Sequence, residues 1–270
     1  MKTGRLPVIS LLTDFGTADY FVGAVKGAIL SVNSQAVIAD ITHEIAPQDI
    51  SAGAFILLAA YQTFPAGTIH VGVVDPGVGS TRRAIIVSAN KQFFVGPDNG
   101  LFTYIYDREP EHQVFHVTAE KYFRPERSST FHGRDIFAPV AGALSNGVKP
   151  LAFGPQIDDA VRLSVSLEPE VLKNGDVRAR IIHIDHFGNC TTNITRDLVP
   201  SEENASLVIN RKTIRKFRKF YGDESTNTPF AIWGSAGFLE ISVNGGSAAK
   251  ALRGKPNDTV VLTQRRKDAK

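Results

Sequence analysis

A single cysteine, Cys190, stands in 270 residues. It leaves no partner for a disulfide and excludes a zinc or iron–sulfur centre built on several thiolates. No run reaches about 18 apolar residues, so no segment reads as a membrane-spanning helix. The N-terminus carries a charge or two and then a short apolar stretch before Asp14. It is too short for a secretory leader and lacks a cleavage pattern, so a cytoplasmic location is expected. Charge of neither sign dominates: the net value of +3 says little about a polyanionic partner. What is present is ordinary globular composition, 43% hydrophobic and 21% charged. That is enough to bury a core without staples. The length allows one large domain or two smaller ones. Seventeen phenylalanines against one tryptophan and one methionine are an oddity with no evident function in the sequence.

The first half alternates strand-like and helix-like patterns. Strands are expected over residues 6–12, 37–41 and 68–74, with a hairpin pair at 84–89 and 92–96. Helices are expected over 20–32, 49–61, 101–106 and 138–145. This alternation predicts an α/β domain with a largely parallel sheet, whose ligands sit at the carboxyl ends of strands. The first and third strands each run into an aspartate and a turn, Asp14 and Asp75, so those loops come first. After about residue 163 the pattern changes. Prolines and the turn signal Asn174-Gly175-Asp176 introduce short β-rich runs at 177–184, 205–209, 213–217, 238–243 and 259–263. They predict a small all-β, barrel-like domain, which places domains at 1–165 and 166–270. Six basic residues between Arg211 and Lys219, and Arg265-Arg266-Lys267 at the tail, lack any stacking platform for bases. They read as solvated surface rather than a nucleic-acid site.

Six polar clusters interrupt the apolar elements. They are 13–16, 75–82, 97–100, 131–135, 185–189 and 234–237. Taken singly, each is ordinary turn chemistry. Asp-Phe-Gly at 14–16 lacks every other kinase motif, and Gly77-Val78-Gly79 lacks the lysine of a phosphate loop and the third glycine of a dinucleotide fingerprint. A metal-dependent hydrolase could draw ligands from Asp14, Asp40, His43, Asp75, Asp98 and His132. No tight His-x-His or His-Glu-x-x-His pair supports it. Cys190 lies beside Asn189, but a small buried residue fits it better than a nucleophile. His43, His70, His112, His116 and His183 receive no role from the sequence.

In order along the chain, the strings 12–16, 40–43, 74–79, 97–101, 130–139 and 185–193 closely resemble the S-adenosylmethionine hydrolases, or S-adenosylmethionine hydroxide adenosyltransferases. This family is related to the fluorinating and chlorinating enzymes. The resemblance covers nearly the whole chain. It implies an α/β domain followed by a small β-barrel. It also implies a homotrimer with each active site between neighbouring subunits. S-adenosylmethionine would be the substrate and adenosine a product, with no cofactor and no metal. By the same resemblance Asp75, Arg82 and His132 match the catalytic set. Asp14 matches the carboxylate that grips the ribose hydroxyls. Asp185 and Asn189 match residues facing the amino-acid part and the adenine. Phe187 would pack on the ligand and Ser235 would lie near the methionine carboxylate. Glu240 matches an acid of the hydrolases, and Val243 would offer backbone groups to adenine. The halogenating relatives carry an insertion before the 97–100 motif and a serine at the position of Gly133. This chain has neither, which points to water as the nucleophile. The residues leave open whether Asp75 or His132 takes its proton.

Overall fold

The computed structural model describes residues 6–264; the basic tail at 265–267 lies outside them. Two compact units emerge, residues 1–164 and 165–270.

The first unit begins with β1 (Val8–Thr13), α1 (Phe21–Val32), β2 (Val37–Thr42), α2 (Ile50–Tyr61) and β3 (Ile69–Val73). β4 (Ala84–Ala89) and β5 (Gln92–Pro97) follow as a hairpin. Its two-residue turn, Asn90-Lys91, has both φ angles positive, the geometry that matches strand twist in tight hairpins. Then come α3 (Thr103–Arg108), β6 (Gln113–His116), α4 (Ala138–Ser145) and β7 (Gln156–Ile157). The sheet order is β2-β1-β3-β5-β4-β6-β7. Pairing is parallel from β2 through β5 and antiparallel from β5 through β7. The hairpin causes the change, because a two-residue turn can only reverse the chain.

Strand alternation sorts the core into two faces. Ile9, Leu11, Ile69, Val71 and Val73 pack with Val25 and Ile29 of α1 and with Val140 and Ala141 of α4. Ser10 and His70 lie on the opposite face, bonded Oγ to Nδ1 at 2.6 Å. His70 stacks on Phe94, and Phe94 in turn meets Tyr61 of α2. Burial pushes the His70 imidazole down to about 4, so it stays neutral.

β1 sits between β2 and β3, and Thr13 lies in register with Val73. Two parallel strands therefore end side by side, and the chain leaves them in different directions. This is the switch point at which α/β sheets open a crevice. Asp14 follows β1 directly, and Asp75 follows β3 after Val74.

The second unit contains β8 (Glu170–Val171), β9 (Val177–Ile184), β10 (Cys190–Thr195), β11 (Ala205–Ile209), β12 (Lys212–Ile214), β13 (Phe217–Arg218), β14 (Pro229–Trp233), β15 (Phe238–Val243), α5 (Ala248–Leu252) and β16 (Thr259–Gln264). The sheet order is β12-β11-β16-β9-β10-β15-β14-β13, with β8 on β9. It curls around a core that includes Val177, Ile181, Cys190, Leu207, Leu239, Ile241 and Leu262. β10 and β14 go beyond the sequence expectation. The string Cys190-Thr191-Thr192-Asn193-Ile194-Thr195 is too polar to read as an inner strand, yet its first five residues are buried. The Thr192 hydroxyl donates to Leu239 O at 2.7 Å, and Asn193 Oδ1 accepts from Arg180 N at 2.8 Å. Those bonds satisfy the polar groups that burial would otherwise penalise. Cys190 is fully buried and burial pushes its thiol up to about 12, which makes it an inert core residue. Within the basic stretch, Lys216 and Arg218 both pair with the buried Glu224 at 2.9 and 2.7 Å. The bond from Lys216, helped by those from Ser225, holds its carboxyl down at about 2.

Candidate active site

In the first unit a cavity of about 430 Å³ opens at the ends of β1 and β3. Asp14, Gln48, Asp75, Phe131, His132 and Gly133 are among its walls. Asp75 and Arg82 belong to one loop, and their side chains are only 5% and 10% exposed. The guanidinium grips the carboxylate with both arms: Nε donates to Oδ1 at 2.9 Å and Nη2 donates to Oδ2. Such a fork-to-carboxylate pair fixes orientation as well as charge. The loop is shaped locally. Ser80 Oγ donates to Gly77 O and accepts from Arg82 N. Gly79 has φ of +78°, and a Cβ there would stand 2.3 Å from Ser129 O. Only glycine lets the 75–82 loop press against the 128–131 loop.

Arg82 Nη2 also lies 2.9 Å from His132 Nδ1. A guanidinium can only donate, so Nδ1 is the accepting nitrogen. In the neutral ring the hydrogen then resides on Nε2. Burial and the adjacent Arg82 charge both push His132 below the ordinary histidine range, which keeps the ring neutral. His132 directly precedes a π-helical turn, Gly133–Phe137, that runs into α4. Such turns are concentrated at functional sites. Inside it, the fully buried Asp135 accepts from Arg134 Nε at 2.7 Å and from Ser128 N at 2.8 Å. It thereby ties the loop before His132 to the turn after it. Phe137 lies beneath the Arg82 guanidinium, 5.1 Å from ring centroid to Cζ.

Part of the phenylalanine excess collects at this cavity. Phe131 meets Phe21 edge-on at 5.3 Å and Phe15 at 5.9 Å. A Cβ on Gly133 would lie 3.3 Å from Phe15, so the wall is closed to a larger residue without a small shift. The 97–100 motif has a supporting place. Asn99 Nδ2 donates to Val74 O at 2.8 Å, next to Asp75. Asp98 is buried against Arg83 and accepts from Val161 N. Among the described residues no group of three or more His, Cys, Asp or Glu side chains is placed to hold a metal ion. No helix among them is long and apolar enough to cross a membrane.

The second unit has its own cavity, about 550 Å³, bounded by Asp185, Phe187, Asn189, Tyr221, Val243 and the 244–246 turn. Asp185 and Asn189 are locked together: Asn189 N and Nδ2 donate to Oδ1 and Oδ2, both at 2.8 Å. The side-chain amide oxygen of Asn189 and the second lone pairs of Asp185 remain for a ligand. Glu240 does not border this cavity but is coupled to it. Burial, and then the charge of Asp185, push its carboxyl up, while Thr191 and Tyr221 bond to it. Ser235 is exposed in the β14–β15 turn, away from the cavity wall. Tyr221 escaped the sequence reading because it lies in a glycine-containing loop without a motif. Gln48 escaped too, because its positive φ of +68° is a property of the fold that no local pattern announces.

The sequence divides between two family models in the same way. Residues 9–154 match the SAM hydroxide adenosyltransferase N-terminal domain, and residues 179–261 match its C-terminal domain. The chain is 38% identical over 267 residues to a protein of Methanocaldococcus jannaschii named (R)-S-adenosyl-L-methionine hydrolase, covering 93% of this chain and 94% of that one. It is 35% identical to a protein of the same name from Salinispora arenicola, covering 95% and 98%. A fluorinase of Nocardia brasiliensis is more distant, at 28% over 72% of this chain and 73% of its own. An uncharacterised conserved protein from Thermotoga maritima superimposes with a TM-score of 0.88 at 34% identity, over 95% of this chain and all of that one. Matched in both units and over almost its full length, the chain belongs to the SAM hydroxide adenosyltransferase family.

Proposed function

We propose that this protein hydrolyses S-adenosyl-L-methionine to adenosine and L-methionine, with water attacking the ribose C5′. The observation that carries this reading is the mutually bonded Asp75–Arg82–His132 set, of which Asp75 and His132 line a cavity that Asp14 also lines. The new bond joins water oxygen to C5′. The C5′–S bond breaks, and its electron pair neutralises the sulfonium. Methionine leaves as a neutral thioether, so no general acid is required. The chain has to aim a water molecule and remove one proton.

The hydrogen bonding divides those tasks. Arg82 holds a fixed positive charge where the oxygen becomes anionic. His132 has Nδ1 occupied by Arg82 and presents Nε2–H, which suits it to orient the water rather than to accept its proton. Asp75 keeps a free lone pair on each oxygen and is the acceptor in this reading. Asp14 would grip the vicinal ribose hydroxyls, each carboxylate oxygen accepting one bond. The second-unit cavity would take the remaining ligand groups. Asp185 and Asn189 would serve the amino group and the purine edge, Phe187 would pack on the ligand and the Val243 backbone would face adenine. Ser235 would act near the methionine carboxylate, and Glu240 would be the acid that the hydrolases carry there in the chain. Ser235 is exposed and is not among its unit's cavity walls. A homotrimer in which neighbouring subunits complete each site is part of the same proposal and would bring it to the ligand. The relatives' names specify the (R) form of the sulfonium, and the same form is proposed as the substrate here.

A halide-dependent adenosyl transfer is the second reading, favoured only by the distant fluorinases. A non-catalytic sensor is the third, and the intact Asp75–Arg82–His132 set speaks against it. Incubation of purified protein with S-adenosylmethionine, with and without chloride, followed by chromatography, separates the three. Adenosine in both arms supports hydrolysis. 5′-Chloro-5′-deoxyadenosine supports halide transfer. Tight binding without turnover supports a sensor.

A further inference from the structure

The string Asp40-Ile41-Thr42-His43 has no part in the reaction as described, yet its side chains converge on the turn that carries Asp14. His43 is 4% exposed in its side chain and lies between two partners. Its Nε2 is 3.2 Å from Asp40 Oδ1, an ion-pair contact without hydrogen-bond geometry, and its Nδ1 is 2.9 Å from the Thr13 hydroxyl, within hydrogen-bond reach. Asp40 is held in turn by Lys26 of α1, whose Nζ donates to Oδ2 at 2.6 Å.

The polarity of this chain is determined by its ends. Lysine only donates and an ionised carboxylate only accepts, so the His43 nitrogen facing Asp40 carries the hydrogen. Nδ1 is then an acceptor in the neutral ring, and the Thr13 hydroxyl must donate to it. That leaves the Thr13 oxygen to accept, and Phe15 N donates to it at 3.3 Å. His43 also acts through its backbone, where its carbonyl accepts from Gly16 N at 2.7 Å. Residues 13, 15 and 16 are thus fastened to one buried histidine. Asp14 is the residue between them that is left to face the cavity, its Oδ2 steadied by Gln48 N at 2.8 Å.

We propose that His43 is a positioning residue for substrate recognition: through Thr13 it sets the direction of the Asp14 carboxylate, and so the enzyme's grip on the ribose diol. This rests on the assignment of Asp14 to the ribose. A hydroxyl that turns away from Nδ1 would free the turn without disturbing β1, whose ladder runs through residues 8–12 on one side and 9–13 on the other.

The test compares binding of adenosine and 2′,3′-dideoxyadenosine by calorimetry in the full-length enzyme and in His43→Leu, His43→Asn, Thr13→Val and Asp14→Ala. Loss of one bond to a charged group predicts that the preference for adenosine shrinks about tenfold in His43→Leu and in Thr13→Val. His43→Asn offers an amide oxygen to Thr13 and is expected to recover most of the preference. In turnover, the loss in His43→Leu and Thr13→Val is expected mainly in KM. General loosening of the fold weakens both nucleosides alike and leaves their ratio unchanged, and a poorly folded His43→Leu leaves the decision to Thr13→Val. If Asp14→Ala loses the preference while Thr13→Val and a folded His43→Leu keep the wild-type ratio, the role of His43 is overturned and the ribose assignment stands. If Asp14→Ala keeps the preference, the ribose assignment itself fails and the role of His43 fails with it.

Discussion

The two cavities are built on opposite plans. In the first unit the polar groups are committed to one another. Asp75 and Arg82 are almost wholly buried, His132 is bonded to Arg82, and the aromatic wall packs on itself. In the second unit the Asp185–Asn189 pair is equally rigid, but its surroundings face outward. Phe187 is 74% exposed and Tyr221 46%. A buried, charge-matched set suits chemistry, because fixed dipoles count for more where water is excluded. An open pocket with one rigid polar pair and exposed rings suits recognition, where a ligand or a partner subunit supplies the missing cover. On the proposed reading the rate rests on the Asp75–Arg82–His132 set of the first unit, while affinity is shared between Asp14 there and the pocket of the second unit.

The largest expected effect falls on the first unit. Arg82→Ala is predicted to lower kcat about a thousandfold while substrate affinity by calorimetry changes little. An unchanged rate of adenosine release would remove Arg82 from the mechanism and dissolve the contrast.

Acid acts next, and on the first unit alone, through His70 and His132. The fold holds His70 neutral at about 4, whereas the unfolded chain takes up a proton below about pH 6.5. Unfolded chains bind more protons in that window, so stability falls as pH drops from about 6.5 toward 4, by up to about 3 kcal/mol. Denaturant titration across that range should show the loss, and His70→Gln should flatten it. Activity has its own acid limb. Protonation of His132 places a hydrogen on the nitrogen to which Arg82 donates. Because burial and the Arg82 charge hold His132 below the ordinary histidine range, the acid limb of kcat should lie below that of an ordinary histidine.

On the second unit, Asn189→Ala is predicted to raise KM roughly tenfold or more with a much smaller change in kcat. A loss confined to kcat would reverse the division of labour. Tyr221→Phe removes one hydroxyl from an exposed ring and should cost threefold or less, again in KM. Steady-state kinetics reads both.

These contrasts were unevenly legible in the sequence. The apolar strands 6–12 and 68–74, each ending in an aspartate, disclosed the crevice, because parallel strands bury both faces and read as continuous apolar runs. β10 did not read as a strand, because its hydroxyls and amide are satisfied by neighbours distant in sequence. Asp75, Arg82 and His132 were named from resemblance. Their mutual bonding depends on the 75–82 loop meeting the 128–131 loop through Gly79, a contact that no spacing encodes. Tyr221 and Gln48 were missed for the same reason: tertiary placement, not local pattern, brings them to a cavity wall.

The proposed attack of water on C5′ is read out by a single turnover series in water enriched in ¹⁸O, with mass spectrometry of both products. One ¹⁸O in the 5′-hydroxyl of adenosine, none in methionine, and the two products in equal amounts with or without chloride is the expected result. Unlabelled adenosine, or a 5′-halogenated nucleoside in its place, would contradict it.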